Sequence, residues 1–341
     1  MTATKNLLIT GGAGFIGSHL VDLALEKGHR VVVLDKLTYA GNQENLAQAA
    51  NQKNFHFVKG DINDRALVTS LLEEHKIDTV FHLAAESHVD KSISGPQAFI
   101  ETNILGSFTM LEASLGFWLK NEKPSDFRFI HVSTDEVYGQ LGPNDAPFCE
   151  TTPYMPSSPY SASKAASDHL ARAWHHTYGL PVIITNCSNN FGPRQHREKL
   201  IPTIVATALA GKQIPVYGDG SNIRDWLYVA DHAKGLLAAA EKGKLGESYC
   251  FGGDNELTNL TIVHQICGLL DKLQPRADKQ SYSKQIAFVP DRPGHDWRYA
   301  IDFSKASQAL GFKPGEAFEQ QLETTIISFL DGARETRFQA A

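Results

Sequence analysis

Cysteine is scarce in this chain: four among 341 residues, Cys149, Cys187, Cys250 and Cys267, with no CxxC spacing. That pattern excludes a disulfide framework and predicts reduced, mostly buried thiols in a cytosolic protein. Long apolar runs are missing too. No segment approaches the roughly 18 apolar residues of a membrane span, and the short run Leu7-Leu8-Ile9 stops at glycines, which leaves no core for a signal peptide. Nor is there an excess of base: 32 Lys and Arg stand against 38 Asp and Glu, a formal charge of −6. Broad attraction to nucleic acid or to an anionic membrane needs a basic surface, so neither partner is expected, while a local basic pocket for a small phosphate ligand stays open. The GxSxG elbow, HExxH, the Walker A lysine and the EF-hand loop are all absent. Among 14 histidines the adjacent His175-His176 falls on a polar helix face, and no metal site is expected.

What is present is an alternation. Short apolar runs at Asn6–Thr10, Arg30–Asp35, Phe55–Asp61, Thr79–Ala84, Arg128–Ser133 and Val182–Cys187 read as strands buried on both faces. Between them Phe15–Lys27, Arg65–His75, Gln97–Lys120 and Pro159–Tyr178 have helix character. Alternating β and α with near-continuous apolar strands predicts an α/β fold with a doubly wound parallel sheet, of the Rossmann kind. After Asn190 the rhythm loosens, with prolines at 193, 202 and 215 and a Gly218-Asp219-Gly220 turn. A helix over Val229–Glu241 and a strand over Ser248–Gly252 then look like a return to the sheet. Helical stretches at Thr261–Lys272, Ser304–Leu310 and Phe318–Asp331 follow. The expected division is residues 1–190, joined by 226–252, as the dinucleotide-binding part, with a smaller, interleaved α/β lobe of 191–225 and 253–341.

Gly11-Gly12-Ala13-Gly14-Phe15-Ile16-Gly17 follows the first strand and opens the first helix. Glycines at 11, 14 and 17 suit a tight turn, close approach of backbone to a pyrophosphate, and close helix–strand packing, with the ligand's charge on the helix N-terminus. Such a turn alone is also an ordinary βα loop. The strand–turn–helix context and Asp35, 18 residues after Gly17 at the end of the second strand, favour the dinucleotide. A carboxylate there accepts from ribose hydroxyls and repels a 2′-phosphate, which points to NAD over NADP, although neighbouring Lys36 can offset it.

Tyr160 and Lys164 stand four apart on a helix with Ser158 as N-cap, Pro159 in the first turn and Gly179 after the end, so both face one way. Bringing a tyrosine from about 10 to near 7 takes about 4 kcal/mol, which a desolvated lysine and a positive nicotinamide together can supply. A tyrosinate then deprotonates a hydroxyl while hydride leaves the same carbon. Ser133-Thr134-Asp135-Glu136 closes the fifth strand, at the sheet end where open α/β folds bind ligands. The adjacent carboxylates read either as a solvated turn or as an acid–base pair whose environments push their pKa values apart.

Taken together, GGxGxxG, Tyr160-x-x-x-Lys164 and the strand-end Ser-Thr resemble the extended short-chain dehydrogenase/reductase family. Within it the chain is similar end to end to the dTDP-glucose 4,6-dehydratases. The segments that carry this are Lys36-Leu37-Thr38-Tyr39-Ala40-Gly41-Asn42, Ala84-Ala85-Glu86-Ser87-His88-Val89-Asp90, Thr134-Asp135-Glu136, Tyr160-Ser161-Ala162-Ser163-Lys164, Asn189-Asn190-Phe191-Gly192-Pro193 and Asp291-Arg292-Pro293-Gly294-His295-Asp296. The chain departs from the family at His196-Arg197, where an aromatic-proline pair is common, and at Trp297, where arginine or leucine is frequent.

The resemblance implies dehydration of dTDP-glucose to the 4-keto-6-deoxy sugar. Tyr160, helped by Thr134 and Lys164, takes the C4 hydroxyl proton as NAD takes the hydride. Glu136 then removes the C5 proton, Asp135 protonates the departing C6 hydroxyl, and hydride returns to C6. It further implies cofactor contacts from Asp61 and Ile62 at the adenine, and from Leu83, Ala84, Ala85, Ser87, Thr102 and Asn190 nearer the nicotinamide, with Thr38 and Lys36 close by. Nucleotide-sugar contacts are implied for Ser87, Thr134, Asn189, Glu198, Lys199, Leu200, Pro215, Tyr217, Arg224, Asn259, Arg292, His295 and Tyr299, with Arg224 and Arg292 suited to a diphosphate. Family members pair the helices Gln97–Lys120 and Pro159–Tyr178 across a two-fold axis, which implies a homodimer. Other nucleotide-sugar decarboxylases, epimerases or dehydratases of the family, and a non-catalytic NAD sensor, are the competing readings.

Overall fold

In the computed structural model, residues 4–291, 294–315 and 317–339 are described. The strands of the first half are β1 (Asn6–Thr10), β2 (Arg30–Asp35), β3 (Phe55–Lys59), β4 (Thr79–His82), β5 (Arg128–Thr134) and β6 (Val182–Cys187). Six more follow: β7 (Asn189–Phe191), β8 (Ile214–Tyr217), β9 (Ile223–Tyr228), β10 (Ser248–Phe251), β11 (Glu256–Thr258) and β12 (Ile286–Val289). Seven of them form one parallel sheet in the order β10-β6-β5-β4-β1-β2-β3. The order reverses beside β1, which pairs with β2 on one side and β4 on the other. Carboxyl ends of strands open into a crevice at such a reversal, because the helices leaving the two neighbours go to opposite faces.

Alternation along each strand explains both faces. Leu7 and Ile9 of β1 and Val31 and Val33 of β2 join the core beneath the helices Phe15–Glu26 and Val229–Lys242. Leu8, Val32 and Leu34 point the other way, into the core covered by the helices Arg65–Glu74, Ser107–Lys120 and Pro159–Tyr178. Each such side chain, fully buried, contributes about 1.5–3 kcal/mol, which is why these strands are apolar throughout. A third core draws on Phe191, Ile201, Trp226, Ile262, Phe318 and Ile326, around the small sheets β11-β9-β7 and β12-β8. Strands β7 and β9 run across residues 190 and 225, two of the three boundaries expected from the sequence. Among the described residues no helix is long and apolar enough to cross a membrane.

The stretch Gln97–Lys120 is not one regular helix. It begins as α over Gln97–Phe99, widens to π over Ile100–Gly106, and resumes as α over Ser107–Lys120. The cause is Asn103, buried inside the widened turn. Its side chain accepts from the Glu86 amide at 2.9 Å and donates to the Glu86 carbonyl at 3.0 Å and the Ser163 hydroxyl at 2.8 Å. Apolar spacing cannot register such a pull, and π turns of this kind gather at functional sites.

Helix Pro159–Tyr178 has the boundaries its sequence predicts. Ser158 Oγ accepts from the Ser161 amide at 3.1 Å, Ser161 Oγ accepts from the Ser158 amide at 3.0 Å, Pro159 opens the first turn, and Gly179 closes the helix in the left-handed region at φ +76°. Ser158→Ala removes one arm of this capping box and is expected to lower unfolding stability by about 1 kcal/mol, with Ser158→Asp closer to wild type. A urea unfolding curve checks this, and an unmoved midpoint for the alanine contradicts it.

Candidate active site

The chain leaves β1 at Thr10 and enters the helix Phe15–Glu26 within a few residues. Gly11 adopts φ +70°, and a Cβ there would stand 2.8 Å from the Ala84 nitrogen. A Cβ on Gly17 would strike the Gly11 carbonyl oxygen. These positions admit only glycine, and they leave the first amides of the helix facing a cavity of about 350 Å³. That is an anion cradle: unbonded N–H groups at the positive end of a helix. Asp35 braces it from the end of β2. Its carboxylate accepts from the Ala13 amide at 2.9 Å and the Leu37 amide at 2.8 Å. Burial raises the Asp35 pKa, and those two amides oppose the rise. Lys36, which by adjacency could offset Asp35, turns away and pairs with Asp61 at 2.6 Å.

Every residue expected at the cofactor lines this one cavity. Gly11, Gly14, Phe15, Ile16 and Gly17 form one wall, with Asp35, Lys36 and Thr38 after β2, and Asp61 and Ile62 after β3. Leu83, Ala84, Ala85 and Ser87 follow β4, Thr102 comes from the π turn, Tyr160 and Lys164 from their helix, and Asn190 from β7. Thr134, Asp135 and Glu136 close the far end, where β5 runs one residue longer than its apolar pattern and then tightens into a 3₁₀ turn.

Electrostatics separate the two carboxylates. Asp135 is 2% exposed, and burial, then Glu136, then Asp225 push its pKa well above the usual carboxylate range. Its Oδ1 accepts from the Thr134 hydroxyl at 3.2 Å, while Oδ2 has no hydrogen-bond partner among the described residues. Thr134 also opposes the rise of the Tyr160 pKa, so its hydroxyl bonds the Asp135 carboxyl and lies on the phenol's side of the site. Tyr160, without the nicotinamide's charge, is pushed the other way from the lowering expected of it. Burial, followed by Glu136, raises the Tyr160 pKa well above its ordinary value. Lys164 spends one donor on the Val132 carbonyl at 2.9 Å, and burial lowers its own pKa. Helical spacing alone does not report these desolvation costs.

Of the residues expected at a nucleotide sugar, Ser87, Asn189, Glu198, Lys199 and Leu200 line the cavity along with Thr134. Glu198 is held by Lys91 at 3.0 Å and lies 3.6 Å from both His88 and His196, while Lys199 donates to the Ser87 carbonyl at 3.0 Å. Pro215, Tyr217, Arg224, Asn259, His295 and Tyr299 are not among its walls. Pro215 and Tyr217 lie on β8, Asn259 opens the helix Asn259–Leu273, and the Tyr217 and His295 rings meet edge-on at 6.4 Å. The Arg224 guanidinium donates to the Asp296 carbonyl at 2.9 Å and sits 4.4 Å from the Tyr299 ring centroid. Its charge reaches Asp135, which it pulls slightly downward against the burial. Arg292 lies outside the described residues.

Several cavity residues escaped the motif reading: Glu86, Cys187, Gln195, His196 and Trp226. Cys187 lies at the end of β6, beside the strand end that carries Thr134, and burial raises its thiol pKa. The signal available for it was position: a polar residue at the carboxyl end of a strand next to one already assigned. Nothing local marked Trp226 and Gln195, and His196 stood out only as a departure from the family pattern. At the departure from family pattern, His196 packs edge-on against Tyr39 at 5.6 Å.

Comparison with known proteins agrees with this geometry. The family model described as GDP-mannose 4,6 dehydratase matches residues 8–325. A dTDP-glucose 4,6-dehydratase of Xanthomonas campestris pv. campestris (strain B100) is 56% identical over 325 residues, 95% of this chain and 92% of that protein. Escherichia coli (strain K12) dTDP-glucose 4,6-dehydratase 1 is 52% identical over 339 residues, 96% and 93% of the two chains. Among solved structures, a dTDP-glucose 4,6-dehydratase from Streptomyces venezuelae with NAD bound superposes with a TM-score of 0.87 at 43% identity, covering 96% of this chain and 97% of that one. The chain belongs to the dTDP-glucose 4,6-dehydratase family.

Proposed function

We propose that this chain dehydrates dTDP-glucose to dTDP-4-keto-6-deoxyglucose with NAD as a retained cofactor. The observation that carries the reading is the pair Asp135 and Glu136 at one end of a dinucleotide cradle, one buried and favouring its proton, the other half-buried beside it. The residues fit NAD: the glycine turn receives the pyrophosphate on helix amides, and the Asp35 carboxylate receives ribose hydroxyls and disfavours a 2′-phosphate. When bound, NAD supplies the acceptor for the C4 hydride, the donor that returns it to C6, and a positive charge in the cavity that favours the phenolate of Tyr160.

Each proton then has a place. Tyr160 takes the C4 hydroxyl proton, and the new ketone acidifies C5. Glu136 takes the C5 proton, and Asp135, protonated at rest, gives its proton to the leaving C6 hydroxyl, which departs as water. Glu136 returns its proton to C5. At that point Tyr160 holds one proton too many and Asp135 one too few. One proton passed from Tyr160 to Asp135 resets the site with no net proton from solvent, and the Thr134 hydroxyl, bonded to Asp135, is the group placed to relay it. Pro215, Tyr217, Arg224, Asn259, His295 and Tyr299, with Arg292, are read as the grip on the nucleotide. The division into 1–190 with 226–252, and 191–225 with 253–341, draws support from the third core, whose members fall in 191–225 and 253–341 except Trp226 and Tyr228 on β9.

A homodimer is part of the same reading. Ile100, Leu105 and Phe108 are 44%, 51% and 42% exposed, and Tyr178 is 48% exposed on the neighbouring helix. Phe108 meets Trp174 at 5.8 Å and Trp174 meets Tyr178 at 5.6 Å, which makes the stripe continuous. Ala162 and Ala173 leave room beside it for a second helix pair. Unpaired thiols, recorded for all four cysteines, suit a reducing cytoplasm.

Two measurements test these assignments. In single turnover with dTDP-glucose, Tyr160→Phe is expected to slow the appearance of reduced nicotinamide by about 10²–10⁴-fold, whereas Glu136→Gln lets it appear and then persist while water loss stops. Glu136→Gln without persistent reduced nicotinamide contradicts its role. For assembly, Leu105→Glu/Phe108→Glu should elute as a monomer where wild type elutes as a dimer; an unchanged dimer contradicts the stripe as the interface.

A further inference from the structure

The helix Pro159–Tyr178 carries more than the tyrosine and lysine its motif names. Counting on by fours from Tyr160 gives Lys164, Asp168 and Arg172, so a phenol, an ammonium, a carboxylate and a guanidinium lie along one face. Asp168 is 0% exposed and Lys164 5%. Asp168 is approached from several elements. His131 Nε2 of β5 lies 3.1 Å from Oδ1, while the Tyr154 hydroxyl donates to Oδ2 at 2.8 Å and Asn186 of β6 does so at 3.3 Å. Arg172 closes the far side by donating to the Tyr154 hydroxyl at 3.0 Å. Lys164 faces Tyr160 and Asp168 on its own helix, the Val132 carbonyl and His131 on β5, His82 on β4 and Cys187 on β6. Of these groups Asp168 is the one carboxylate held fully buried by so many donors.

We propose that Asp168 is a positioning residue of the site, the buried counter-charge that holds Lys164 as an ammonium one helical turn from Tyr160. The assignment rests on Tyr160 and Lys164 acting together at C4. A buried ammonium without a counter-charge gives up its proton. Burial pulls the Lys164 pKa down, and Asp168 leads the groups that oppose it, with Cys187 next. The Asp168 pKa is itself held low, because the His131 imidazole beside it and the Lys164 ammonium outweigh the cost of burial. The carboxylate therefore keeps its charge across the working pH range, and the fixed donors leave it one geometry. Burial, and then Lys164, lower the His131 pKa against the pull of Asp168.

A thermal-melting cycle on the full chain, without substrate, tests the pairing: wild type, Asp168→Asn, Lys164→Met and the double variant. Asp168→Asn is expected to lower Tm by several degrees, because Lys164 is left buried alone. The double variant should melt above Asp168→Asn, since the stranded charge is gone. A role confined to Tyr154, Asn186 and His131 predicts no such recovery, so a double variant melting at or below Asp168→Asn overturns the proposal. Should Asp168→Asn yield no folded protein, a folded double variant supports the pairing and an unfolded one overturns it. The second readout is the alkaline limb of turnover. Lys164 acts protonated, and a lower pKa loses that proton at lower pH, so the limb should move down by about one pH unit or more in Asp168→Asn, and stay nearer wild type in Asp168→Glu. Coupled melting beside an unmoved limb overturns the part of Lys164 in turnover, and with it that of Asp168.

Discussion

Two carboxyl groups on consecutive residues, one of them shut away from water, cannot both carry charge at little cost. Asp135 and Glu136 meet that constraint at the end of β5, and the chemistry follows from how it is resolved. Asp135 takes the buried place, where its proton is favoured, and Glu136 keeps the more open one. The residue before them contributes the hydroxyl that bonds Asp135. In the proposed mechanism acid, base and alcohol-activating phenol thus lie together at one end of the cavity. An oxidation at one carbon and an elimination at the next two can then share a single pocket.

The fold's part is to bring that run to a dinucleotide. Reversal of strand order at β1 opens the crevice, the glycine turn lines it with amides, and the π turn of Ile100–Gly106 is drawn in by Asn103. Asn103 bonds Ser163 on the tyrosine's helix and the Glu86 backbone after β4, so three walls of the cavity are cross-linked by one buried amide. Beneath, the polar face of the helix from Tyr160 to Arg172 meets Val132 of β5, Asn186 of β6 and Tyr154.

Much of this was legible beforehand. Strands β1, β2 and β6 and the helix Pro159–Tyr178 have the limits their apolar pattern and caps predict, because two-sided burial and capping leave local marks. The cavity also gathers the whole expected cofactor set. What stayed hidden depends on partners distant in the chain. The short strands β7, β8, β11 and β12 lack enough residues to show a period, and β9 carries Arg224 and Asp225 inside its run. The π turn depends on Glu86 and Ser163, and the turn of Lys36 toward Asp61 depends on where β3 ends. The upward push on Tyr160 reflects burial, which spacing does not encode. Asp168 continues the four-residue spacing, yet only the surroundings of His131, Tyr154 and Asn186 set it apart from a solvated helix face.

The central claim is that one pocket oxidises C4 and reduces C6 of the same sugar. Turning over dTDP-glucose carrying deuterium at C4 and locating the label in the product tests it most directly. Deuterium should appear at C6 of the 4-keto-6-deoxy product, transferred within one molecule when labelled and unlabelled substrates are mixed. Label lost to solvent, or scrambled between molecules, would contradict the account.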